Sequence, residues 1–95
     1  MEEEKKLPKF LTENDDGTWT VEAKGKQYVF QELNGGQVLN ARKSAEKLQL
    51  SEEVVLAMKS LKSPEMSQSD ILDLPGSVMF KFAKAMEFVY GINDF

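Results

Sequence analysis

The chain has 95 residues, 41% of them hydrophobic, enough for one core and too few for two. Its 16 acidic residues outnumber 12 basic ones for a net charge of −4, which excludes nucleic acid as an expected partner, because phosphate-backbone binding depends on Lys and Arg displacing counterions. Cys and His are both absent, so disulfides, thiolate metal sites and the commonest general base are excluded, and no cofactor, metal-binding or catalytic residue is expected.

The opening Met1-Glu2-Glu3-Glu4-Lys5-Lys6 lacks the apolar stretch of a signal peptide. No later run approaches the roughly 18 apolar residues of a membrane span. A soluble, cytoplasmic protein without membrane partners is therefore expected. Residues 1–12 show neither helical nor strand periodicity and read as a weakly ordered segment, with Phe10 and Leu11 available to tuck against a single domain at residues 13–95. Glu13-Asn14-Asp15-Asp16-Gly17 reads as a turn. Its carboxylates lack the alternating ligand ladder and closing Glu of a calcium loop.

Residues 18–33 read as a hairpin. Trp19, Val21 and Ala23 alternate with Thr18, Thr20 and Glu22, while Tyr28 and Phe30 alternate with Gln27, Val29 and Gln31. A two-residue turn at Lys24-Gly25 sets Ala23 opposite Lys26, Val21 opposite Tyr28 and Trp19 opposite Phe30, so the large rings share a face. A lone hairpin is marginal in water, so that face must lie on helices, and Trp19 is expected to be buried against Phe30 and a helix.

After Leu33-Asn34-Gly35-Gly36 the period changes, and Val38, Ala41, Ala45 and Leu48 share one side of a helix over about residues 36–49. Ser51 suits the N-cap of a second helix, with Glu52 and Glu53 near its positive end and Val54, Ala57, Met58 and Leu61 on one face. By period alone Val54-Val55-Leu56-Ala57-Met58 also fits a buried strand; the cap favours the helix. Lys62-Ser63-Pro64 ends it. Ser67 and Asp70 resemble a capping box for a short helical turn through Ile71 and Leu72, and Pro75, lacking an N–H, suits the first turn of a closing helix. The whole reads as an α+β domain, an N-terminal β-hairpin packed on a small bundle of three to four helices.

The closing helix is too apolar for one core-facing stripe. At about 100° per residue, Val78, Phe82, Ala85 and Val89 cluster, and Met79, Ala83, Met86 and Tyr90 widen the sector into a broad core-facing side. Lys81, Lys84 and Glu87 mark the opposite side, yet Phe80 and Phe88 fall among them. Either a neighbouring element covers those rings, or Phe80 and Phe88 anchor a protein interface with Met79 and Met86 as adaptable neighbours.

The hairpin ending at Gln31-Glu32-Leu33, the helix begun at Asn34-Gly35-Gly36, and Ser69-Asp70-Ile71-Leu72-Asp73-Leu74-Pro75-Gly76-Ser77 before an apolar terminal helix together resemble the tail assembly chaperones of long-tailed bacteriophages, over about residues 17–90. The resemblance implies a factor in the host bacterial cytoplasm that coats the hydrophobic tape-measure protein, recruits tail-tube subunits, self-associates, and is absent from the mature virion. It implies no active site. In such families a longer product made by ribosomal frameshifting often adds a second domain.

An enzyme is not expected, since the acidic residues fall mostly in caps, turns and solvated helix faces and no Gly-rich phosphate loop or G-x-S-x-G elbow is present. Two other readings stay open beside the chaperone. One is a small acidic phage-encoded inhibitor or adaptor that binds a host protein through Glu2 to Glu4 and Glu13 to Asp16; the other is a permanent structural subunit of the particle.

Overall fold

Alternating apolar residues around a tight turn dictate the centre of the molecule. In the computed structural model, which describes residues 7–91, the strands are β1 (Leu11–Glu13), β2 (Thr18–Ala23), β3 (Lys26–Gln31) and β4 (Leu61–Ser63). They form one antiparallel sheet in the order β1-β2-β3-β4. Across the β2–β3 hairpin, Ala23 pairs with Lys26, Val21 with Tyr28 and Trp19 with Phe30, the register expected from a two-residue loop. Lys24 and Gly25 both take positive φ, 52° and 75°, as a type I′ turn requires to match the right-handed twist of the strands.

The turn expected at residues 13–17 joins β1 to β2. Gly17 has φ 88° and donates its N–H to the Asn14 carbonyl at 3.2 Å, while the Asn14 N–H reaches the Thr18 carbonyl at 2.9 Å. Asp16 accepts from the Thr18 hydroxyl at 2.6 Å and the Thr18 N–H at 3.1 Å. Those two bonds hold its carboxyl below the usual carboxylate range. The Asn14 amide donates to Thr18 Oγ1 and Thr20 Oγ1, each at 2.9 Å, so the buried Thr18 hydroxyl is fully partnered.

Four helices follow the hairpin: α1 (Gly35–Leu48), α2 (Glu52–Ser60), α3 (Gln68–Leu72) and α4 (Gly76–Tyr90). Their starts follow local chemistry. Asn34 and Gln37 form a reciprocal capping box at α1, with both bonds at 2.9 Å. Ser51 accepts the Val54 N–H at α2, where Glu52 and Glu53 sit in the first turn. Ser67 and Asp70 form a second reciprocal box at α3. Pro75 occupies the cap position before α4 rather than its first turn, and Gly91 closes that helix at φ 64°.

Helices α2 and α4 cover the inner face of the sheet, and α1 lies against α2. The Phe82 ring of α4 meets Tyr28 and Phe30 edge-on, each at a centroid distance of 5.0 Å, an arrangement that aligns ring edges with the negative ring faces. Val21, Leu56, Val55 and Met86 complete the largest fully buried side chains around them. The Tyr90 hydroxyl ties three elements together: it accepts the Leu33 N–H and pairs with the buried Ser60 hydroxyl, both at 2.8 Å.

Several expectations shift. Leu11 and Thr12 belong to β1, so the weakly ordered segment does not extend to residue 12; Leu11 is buried opposite Val21, and a three-residue strand is too short to show a period. Residues 1–6 of that segment lie outside the described residues. Leu61 leaves the helix to enter β4, where Phe30 pairs with Leu61 and Val29 with Ser63 around a bulge at Lys62. On α2 the buried residues are Val55, Leu56, Ala57 and Ser60, while Val54 and Met58 are half-buried. A helix enclosed by α1, α4 and the sheet has no single apolar stripe. On α1, Ala41 and Ala45 are buried and Val38 half-buried as expected, but Leu48 is 45% exposed.

Candidate functional site

The surplus of apolar residues on α4 is the strongest functional signal in the chain, and the fold divides it unequally. Val78, Phe82, Ala85 and Met86 are buried. Phe80, about 200° around the helix from Val78, points away from the core and is 64% exposed. The Lys84 ammonium lies 5.7 Å from its ring centroid, a cation–π contact of modest worth at an exposed site. Lys84 also pairs with Glu87 at 3.7 Å, an exposed ion pair that contributes little.

The other three expected interface residues have different surroundings. Phe88 is half-buried and meets Trp19 of β2 edge-on at 6.4 Å, so it already has an aromatic partner. It lies on the flank of α4 that turns toward the sheet, because a position about 280° from Val78 borders the core side rather than opposing it. Met86 is 1% exposed and belongs to the core. It sits about 80° from Val78, and its unbranched chain fills the irregular space between packed elements. It cannot serve as an adaptable surface neighbour. Met79 is half-buried and packs against the core, leaving part of its thioether chain beside the free side of α4.

Trp19 is half-buried rather than enclosed. It faces Phe30 in the strand register and reaches α4 through Phe88. On the same flank, Lys81 Nζ lies 5.7 Å from the Phe10 ring, so Phe10 does tuck against the domain.

Sequence periodicity overlooks further apolar surface. Leu39 and Leu72 are 59% and 43% exposed. Leu39 was legible as an outlier, since it falls off the Val38, Ala41 and Ala45 stripe of α1; Leu72 sits on a helix too short to define a face. Among the described residues, no three His, Cys, Asp or Glu side chains converge in a group able to hold a metal ion, and no helix is long and apolar enough to cross a membrane. The free side of α4 offers a ligand an exposed ring, part of a thioether chain and a flanking ammonium. No family model, no curated protein and no solved structure matches the chain.

Proposed function

We propose that this protein is a tail assembly chaperone of a long-tailed bacteriophage, a binding protein rather than an enzyme. It acts in the host bacterial cytoplasm, engages the hydrophobic tape-measure protein through the outer face of α4, recruits tail-tube subunits, and is left out of the mature virion. One observation carries the reading: Phe80 is held 64% exposed on the side of a helix whose other side is fully committed to the core. Full burial of a Phe side chain is worth about 1.5–3 kcal/mol, so covering this ring in an interface gains a large part of that. The phage resemblance over residues 17–90 supplies the kind of client.

The anchor set is narrower than the sequence pattern indicates, with Phe80 as the ring available to a client and Met79 as its partly covered neighbour. An acidic inhibitor reading is weakened because the Asp16 carboxylate is occupied by Thr18 within its own turn. Co-expression of the tape-measure protein with the parent chain and with Phe80→Ser tests the proposal. The parent should keep the client soluble and co-purify with it at low and high salt alike, while the variant, with an unchanged melting profile, should lose most of the complex. Undiminished capture by the variant, or binding that collapses at high salt, overturns this reading.

A further inference from the structure

A second apolar surface lies on other elements. Helices α1, α2 and α3 border an open groove of about 290 Å³, lined by Leu48, Val55, Met58, Met66 and Ile71, with Lys59 as its charged lining residue. Met58 and Met66 are both half-buried and come from different elements; unbranched thioether chains let such a wall conform to a visitor. The charges nearby reverse the balance of the chain. The charged residues adjoining the lining positions in sequence are Lys43, Lys47, Glu65 and Asp70, and Asp70 is committed to the α3 capping box. Three lysines thus face one uncommitted carboxylate, in a protein whose net charge is −4. Among the described residues, Lys47 and Lys59 form no ion pair.

We propose that this groove seats an amphipathic helix of a partner protein, apolar on one face and acidic along its flank, at a docking site separate from the Phe80 face. Charge selects the acidic flank, because a lysine-rich rim repels a basic helix and attracts a carboxylate-bearing one. The walls select a helix. Helical walls have already satisfied their backbone groups internally and offer no free edge to an extended peptide, whereas a helical visitor carries its own hydrogen bonds and needs only side-chain cover. The inference rests on the reading of the protein as a binding module, and it adds a second, chemically distinct partner surface.

Synthetic peptides of about 18 residues, long enough to hold a helix with a stabilising cap, test it directly. Two fluorescein-labelled peptides share a leucine stripe and differ only in Glu or Lys flanks, and binding to the full chain is read by fluorescence anisotropy. The Glu-flanked peptide should bind at least about tenfold tighter at low salt, and the difference should shrink as salt rises. Lys47→Glu/Lys59→Glu should invert that preference, and both side chains are exposed, so the fold tolerates the change. Lys24→Glu/Lys26→Glu, the same charge change on the hairpin turn, should leave it intact. Met58→Gln should weaken both peptides.

Equal binding of the two peptides, or a preference unmoved by the groove lysines, overturns the proposal. So does a concentration-dependent dimer in sedimentation that Met58→Gln disperses while neither peptide binds, since the occupant is then a second copy of the chain. Capture of the tape-measure protein is read separately: its failure with intact peptide selectivity rejects the chaperone reading and leaves the groove standing. Intact capture without peptide selectivity does the reverse.

Discussion

Phe80 and Phe82 stand two residues apart on α4 and have opposite surroundings: one is 64% exposed, the other 1%. The same spacing in the hairpin, Tyr28 and Phe30, puts both rings in the core. A strand returns to the same face every second residue, whereas a helix turns about 200° in that distance. In the hairpin, the turn at Lys24-Gly25 therefore propagates one register to every side chain. On α4 each ring's surroundings depend on what happens to pack beside its sector.

The largest effect should come from breaking this contrast within α4. Phe82→Ala removes a ring that contacts Tyr28 and Phe30 edge-on and is expected to cost about 3–5 kcal/mol. Phe80→Ser should change stability by no more than about 0.5 kcal/mol, the usual range for an exposed site. Urea unfolding of both variants measures the pair; a cost for Phe80→Ser approaching that of Phe82→Ala would show the outer face to be structural.

The border between the two regions is sharpened at Trp19 and Phe88, where the sheet meets the flank of α4. Trp19 is only half-buried, so Trp19→Ala should cost about 2 kcal/mol, below the range for a fully enclosed aromatic. A double-mutant cycle with Phe88→Ala should return a coupling of about 0.5–1.5 kcal/mol. Strict additivity would mean that the rings touch without stabilising each other, and Phe88 would return to the list of interface anchors.

The smallest effect concerns the turn between β1 and β2. Hydrogen bonds from Thr18 lower the Asp16 pKa from its ordinary value of 3.8, so the folded state favours the carboxylate more than the unfolded chain does. The contribution is fully present above that ordinary value and is lost as pH falls through the lower folded pKa. Asp16→Ala should remove this part of the acid sensitivity and leave stability near neutrality little changed. Melting temperatures of parent and variant that fall in parallel from pH 5 to pH 2 would assign the acid response to other carboxylates.

Local chemistry alone determined much of the architecture. The hairpin register, the turn at residues 13–17, the Ser51 cap and the Ser67 capping box all follow from interactions between residues a few positions apart. For the same reason the α+β class was legible: alternation and helical period are properties of short windows. Tertiary structure decided the remainder. The strand β4 gains its identity only from pairing with β3, and a three-residue segment carries no pattern of its own. Helix α2 lost its expected face because three neighbours cover it. Of the four residues expected at the interface, Met86 went to the core and Phe88 to Trp19. A helical wheel gives the angle between side chains, but only the packed neighbours decide how wide the buried sector is, and here α2 and the sheet left Phe80 outside it.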